Sequence, residues 1–337
     1  STSKAHTIEG LTVGKEYTLR EDLAPLGFVK STDIKFTVEN TADSQKINMI
    51  DKMVTMTKED IGGTEIEGAE MSVINEKGEV VDSWTSTKEP HKINGLEEGK
   101  TYTLHESYAP DGFVIATDVE FTVSTDKETQ EIIMIDKILE VTKTDLTNGE
   151  EIEGAELVVT DEDGNVIDEW ISTKEPHKVS GLQEGKTYIL TEKTAPYGYE
   201  IAESITFTVS TDKETQVIEM KDMPILKSVR VEKIDRDTKE HIKSNKFTFG
   251  IYEDEACTKL IKEVGANTDN GTALFDNLRY GTYYIKELKA PLGYKLSDQV
   301  VKIEINDKGV FADGVSLEEN DGVYGFEYYN SLLPLIQ

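Results

Sequence analysis

The sequence predicts an all-β chain made of small two-sheet sandwiches in tandem. Three observations carry this reading. Long strings recur at a near-constant spacing, apolar residues alternate with period two, and turn residues break the alternation roughly every eight to twelve residues. Ser86-Thr87-Lys88-Glu89-Pro90-His91-Lys92 returns as Ser172 to Lys178, and Val123 to Gln130 returns as Val209 to Gln216, both 86 positions later. The first fifty or so residues fit the same template, with Phe36 on Phe121 and Asp51 on Asp136. A fourth, divergent copy shares Ala290-Pro291-Leu292-Gly293-Tyr294 with the Ala-Pro-x-Gly-aromatic turns at Ala24, Ala109 and Ala195.

The expected organisation is therefore residues 1–52 as an N-terminally truncated repeat, 53–137 and 138–223 as complete repeats, 224–331 as a divergent repeat, and 332–337 as a tail. The first copy enters where the others are already a third complete, which reads as a cut or processed fragment. Within a repeat, Thr101-Tyr102-Thr103-Leu104, Val119 to Val123 and Glu131 to Met134 alternate as half-buried strands do. Glu76-Lys77-Gly78, Asn94-Gly95, Glu98-Gly99 and Pro110-Asp111-Gly112 supply the turns. The junctions Asp51 to Lys58 and Asp136 to Lys143 hold no Gly/Ser spacer. The sandwiches are thus expected in line, as an elongated and fairly stiff rod.

Composition narrows the function. The 337 residues carry 66 acidic and 36 basic side chains, a net charge of −30. A phosphate backbone or an anionic bilayer would repel such a chain, so nucleic-acid binding and membrane adhesion by charge are excluded. No apolar run reaches the length of a membrane-spanning helix, and direct membrane insertion is not expected. Cys257 is the sole cysteine, so no intrachain disulfide forms.

Three polar positions recur in phase. The first strand carries Lys58, Lys143 or Lys233; a middle strand carries Glu106, Glu192 or Glu287; the last strand ends on Asp136, Asp222 or Asn330. Residues two apart on a strand share a face. Val54 and Met56 therefore align with Lys58, Tyr102 and Leu104 with Glu106, and Ile132 and Met134 with Asp136, all on the apolar inner face. A charge buried there costs several kcal/mol unless something offsets it. A buried ion triad is one solution and a covalent bond is another. Desolvation lowers a lysine pKa toward a neutral, nucleophilic amine and raises a glutamate pKa toward a neutral acid. Such an acid can polarise the neighbouring Asp or Asn carbonyl for attack, with water or ammonia leaving. Folding supplies the proximity.

The lysine strand, the Glu followed by x-x-Ala-Pro-x-Gly-aromatic, the terminal Asp or Asn and the Gly95-Leu96, Gly99-Lys100-Thr101-Tyr102, Leu104, Glu106 context resemble the B-type repeats of the collagen adhesins. These immunoglobulin-like, prealbumin-like domains recur in Gram-positive pilins and surface stalks. The resemblance implies spontaneous isopeptide bonds, Lys58–Asp136 with catalytic Glu106, Lys143–Asp222 with Glu192, and Lys233–Asn330 with Glu287. The first repeat keeps Glu21 and Asp51 without a matching lysine. The implied function is the structural stalk of a cell-surface adhesin, extracellular, wall-anchored and monomeric, joined to the rest of its parent surface protein. It needs no cofactor or metal, and its only chemistry is single-turnover self-crosslinking. The alternatives are a module binding a host matrix protein, for which the longer Glu287-to-Asn330 segment is the candidate, and a pilin subunit. No Pro-Lys dipeptide occurs, so the lysine motif of shaft pilins is not visible.

Other signals are set aside. Asp161-Glu162-Asp163-Gly164-Asn165 has its glycine too early for a calcium loop and reads as a hairpin turn. His6, His91 and His177 stand a repeat apart and cannot share a metal. Trp84 and Trp170 read as packing residues, Cys257 as a buried or inert thiol, and Tyr280 to Tyr284 as core and edge packing. Leu333 to Gln337 begins like a sortase signal but lacks its Thr-Gly.

Overall fold

The computed structural model describes residues 4–244, 246–266 and 271–334, so Leu335, Ile336 and Gln337 of the expected tail lie outside the described residues. Among the described residues every regular element is a strand. The chain forms two compact units, one comprising Ser1–Lys143, Glu156–Lys193 and Glu203–Met220, the other Thr144–Ala155, Thr194–Ala202 and Lys221–Gln337.

In the first unit the second repeat shows the architecture completely. Met53–Glu59 lies between the short strand His91–Lys92 and the last strand Thr129–Ile135. The opposing sheet runs in the order Val80–Thr85, Glu70–Asn75, Thr101–Tyr108, Val119–Thr122. Val54, Met56, Met71, Val73, Leu104, Phe121 and Met134 fill the space between the sheets, as their period-two spacing requires. The first and last strands are parallel neighbours, with Lys58 opposite Met134. Parallel neighbours cannot be joined by a hairpin, so the rest of the repeat forms the crossover between them. The third repeat reproduces the two sheets, with Ile138–Asp145 between His177–Lys178 and Thr215–Asp222. Asp161 closes a hairpin turn there, its Oδ1 accepting from the Asp163 and Asn165 amides at 3.0 and 2.8 Å.

The first repeat contributes one antiparallel pair, Glu16–Leu19 with Ile34–Thr37. Tyr17, Leu19, Glu21, Ile47 and Met49 are half-buried between exposed neighbours, which is the expected parity, and Asp51 is half-buried beside half-buried Lys52. Ile47 to Asp51 nevertheless forms no strand among the described residues. The equivalent segment of the second repeat owes its ladder to the lysine strand, which has no counterpart here.

In the second unit the first and last strands of the fourth repeat, Lys227–Asp235 and Val323–Asn330, are again parallel, placing Lys233 opposite Tyr328. Val229, Val231, Phe249, Phe275, Ile285, Ile303 and Tyr328 form the core. The extra residues of this repeat form Gly309–Ala312 and Val315–Ser316 on one sheet and Glu319–Asn320 on the other. Gly271, at φ +68°, sits where an added Cβ would lie 2.2 Å from the Ile242 carbonyl oxygen, so only glycine lets these backbones meet.

Candidate crosslinking sites

Each lysine strand enters its core with apolar residues before the lysine on the same face, and the sheets then close over the polar groups. In the second repeat Lys58, Glu106 and Asp136 are all at most 3% exposed. Lys58 Nζ lies 3.0 Å from Glu106 Oε1 and also contacts Asp136 Oδ1. The Ala116 amide donates to Glu106 Oε2 at 2.8 Å, fixing the carboxyl while its other oxygen faces the lysine. Asp136 Oδ2 makes no hydrogen bond among the described residues. Burial pushes the Asp136 carboxyl up to about 7; Lys58 opposes this and Glu106 reinforces it.

The fourth repeat shows the same plan with an amide. Lys233, Glu287 and Asn330 are buried, and Lys233 Nζ contacts both Glu287 Oε1 and Asn330 Oδ1. Asn330 Nδ2 donates to Glu287 Oε2 at 2.8 Å and to the Lys295 carbonyl at 2.9 Å. Two acceptors on the nitrogen side determine the amide orientation, with its oxygen toward the lysine. The Ser297 amide holds Glu287 Oε2 at 2.9 Å, as Ala116 holds Glu106. Lys233 Nζ stands 4.6 Å from the centre of the Tyr328 ring and 5.1 Å from that of Phe249. This apolar enclosure lowers the amine to about 8 against the opposing pull of Glu287.

In the third repeat Lys143 Nζ lies 3.0 Å from Glu192 Oε1, both buried, and Asp222 is buried at the end of its strand. In the first repeat the Ser31 amide donates to Glu21 Oε2 at 2.7 Å, the same hold seen on Glu106 and Glu287. Among the described residues no lysine is paired with Glu21. No group of three or more His, Cys, Asp or Glu is placed to hold a metal among the described residues.

Trp84 and Trp170 pack as expected, and other residues have partners that the sequence did not reveal. Trp84 and Trp170 pack face to face on His91 and His177, with ring centres 4.2 and 4.1 Å apart. Cys257 is half-buried rather than buried, in a left-handed backbone conformation at φ 54°. Two glutamates outside the trios, Glu98 and Glu184, join successive repeats inside the first unit. Glu98 takes Lys52 Nζ at 2.6 Å and the Thr32 amide and hydroxyl at 2.9 and 2.8 Å. Glu184 takes Lys137 Nζ at 2.8 Å and the Thr117 amide and hydroxyl at 3.0 and 2.9 Å. Burial works to raise the Glu98 carboxyl, but Lys52 and Thr32 outweigh it and hold it below its ordinary value. The recurring Gly-Leu-x-Glu-Gly at Gly95 and Gly181 was the available signal.

Comparison with known proteins fits this architecture. The family described as the SpaA prealbumin-like fold domain matches residues 52–138, 137–224 and 227–317. Among solved structures the chain is similar to the Bacillus anthracis TIE protein, at 23% identity and a TM-score of 0.44 over 89% of this chain and 53% of that one. It is similar also to the pilus adhesin SpaC of Lactobacillus rhamnosus GG, at 13% identity and 0.49 over 83% and 44%. BcpA, the major pilin subunit of Bacillus cereus, follows at 17% and 0.30 over 83% and 99%. The chain spans about half the length of the first of these structures. No curated protein sequence matches it.

Proposed function

We propose, for a chain that belongs to the SpaA prealbumin-like fold family, that its three complete repeats tie their first strand to their last by a self-formed side-chain amide. The tied repeats would then serve as the stalk of a bacterial surface adhesin. The observation that carries this reading is the buried lysine–glutamate–asparagine set of the fourth repeat, in which one carboxyl touches both nitrogens that must exchange a proton.

The chemistry follows from that placement. Neutral Lys233 Nζ attacks Asn330 Cγ, and Glu287 Oε1 lies where it can take the proton that the amine sheds. Glu287 Oε2 lies on Nδ2, where it can deliver a proton to the leaving nitrogen. The new Nζ–Cγ bond replaces the Cγ–Nδ2 bond, and ammonia departs. For Asp136 the C–O bond breaks and water departs, a reaction that needs the acid neutral. Its raised pKa supports this. By repeat equivalence Lys143 and Asp222 would form the third amide, with Glu192.

A stalk resists pulling, and the parallel first and last strands make the bond effective. Tension entering at Lys58 would leave through Asp136 and bypass the residues between them. Extracellular location and attachment to the rest of a parent surface protein belong to this reading. Single-molecule pulling tests it. The wild-type repeats should rupture without releasing the length between each lysine and its partner. Glu106→Ala, Glu192→Ala and Glu287→Ala should each restore one such release. Full release in the wild type would refute the proposal.

A further inference from the structure

The repeats are joined by two chemistries, and the aromatic residue that ends each Ala-Pro-x-Gly turn tells them apart. Where it is phenylalanine, Phe28 or Phe113, the junction to the next repeat uses the lysine–glutamate pairs Lys52–Glu98 and Lys137–Glu184. Where it is Tyr199, the second unit holds a different contact. Tyr199 OH donates to Asp145 Oδ2 at 2.8 Å, and Arg279 Nη1 reaches the same oxygen at 2.5 Å and the tyrosine oxygen at 3.1 Å. Arg279 Nη2 donates to Thr147 Oγ1 at 2.6 Å. The Tyr197 ring meets that of Tyr280 edge-on at 5.2 Å. Arg279 and Tyr280 occupy the loop positions that Glu97 and Glu98 hold in the second repeat.

The fourth repeat carries the receiving half of this second contact. Tyr294 OH donates to Asp235 Oδ2 at 2.8 Å, as Tyr199 does to Asp145. The Leu333 amide donates to the Gly293 carbonyl at 2.8 Å, as Ile225 does to Gly198. Tyr294 bridges to Leu332 as Tyr199 does to Pro224. Asp237 stands in the place of Thr147, adding a second carboxylate. Among the described residues no cation lies within ion-pair distance of Asp235; neighbouring Arg236 and Lys239 lie over the Tyr329 ring instead. Around this acceptor Leu292, in the place of Tyr197, is 88% exposed, and Leu296, Leu332 and Leu333 are each about half exposed.

We propose that this face docks a further prealbumin-like repeat whose loop before its middle strand presents an arginine followed by an aromatic residue. The occupant is read from continuity with the Arg279–Tyr280 contact and from charge. The guanidinium would lie between Asp235, Tyr294 and Asp237, and the aromatic ring would cover Leu292. A lysine–glutamate junction does not suit the face, because Ser331 stands where Lys52 and Lys137 stand. The proposal does not depend on the amide bonds.

The test extends the whole chain, through Leu333, with a second copy of Leu226 to Leu333. Each copy of the fourth repeat then carries its own Cys257, the sequence's single cysteine, for a spin label. Electron–electron distance measurements should give one narrow peak. Arg279→Ala in the added copy, or Asp235→Asn in the original, should abolish that peak, while amide-proton spectra show both copies folded. A broad distribution with both side chains intact overturns the proposal, and so does a narrow peak that survives either substitution.

Discussion

Lys233 gives up its water for three aromatic rings and one carboxylate, and the consequence is an amine at about 8. Asp136 undergoes the opposite change, since burial raises it to about 7. The two shifts give different pH dependences for bond formation. Attack requires neutral lysine, whose fraction grows as pH rises through the amine's pKa. Ammonia loss in the fourth repeat should therefore speed up from pH 6 to about 8 and then level off. Water loss in the second repeat requires neutral Asp136 as well as a neutral amine, and the fraction of neutral Asp136 shrinks above about 7, so that reaction should lack the fourth repeat's rise over the same range. Refolding never-folded protein from denaturant across this range, with mass spectra taken over time, measures both. Parallel slopes in the two repeats would contradict the assignment. Asn330→Asp should change the departing molecule from ammonia to water and shift the fourth repeat's profile toward that of the second. The trios were legible in the sequence because parity alone places their residues inward. The hold on each glutamate by the Ala116, Ser297 or Ser31 amide was not, since backbone donors leave no trace in residue type.

At the scale of elements, an amide between Lys58 and Asp136 would close a loop of 78 residues. By analogy with disulfides, such closure stabilises by about 4 kcal/mol through the unfolded state, a model-dependent figure. Lys58→Ala or Lys143→Ala should lower the melting temperature of its own repeat and expose it to protease, and an unchanged melt would argue against a tie there. The Lys52–Glu98 pair should behave differently. Its carboxyl is held ionised, which favours an ion pair over an amide. Glu98→Gln should accelerate hydrogen exchange at the Thr32 amide while changing the protein's mass by no more than the substitution itself. The strands of the complete repeats were readable from alternation and turn residues. Ile47 to Asp51 shows the limit of that method, because alternation describes a face while a strand also needs a partner. The Arg279 contact escaped for a related reason, as its members lie in separate repeats and neither Arg279 nor Thr147 has an identical counterpart in phase.

For the molecule as a whole, the compact units do not follow the sequence repeats. Thr144–Ala155 and Thr194–Ala202 of the third repeat group with the fourth, and Asp145, Thr147 and Tyr199 from these segments gather around Arg279. Repetition in sequence therefore identifies what each sandwich is made of, while the compact units cut across the third repeat. The central claim is that three buried lysines become amides, and intact mass on freshly purified, folded protein tests it most directly. The account predicts a mass below that of the sequence by two waters and one ammonia, with Glu106→Ala and Glu192→Ala each restoring one water and Glu287→Ala the ammonia. The full sequence mass in the folded wild type would contradict it.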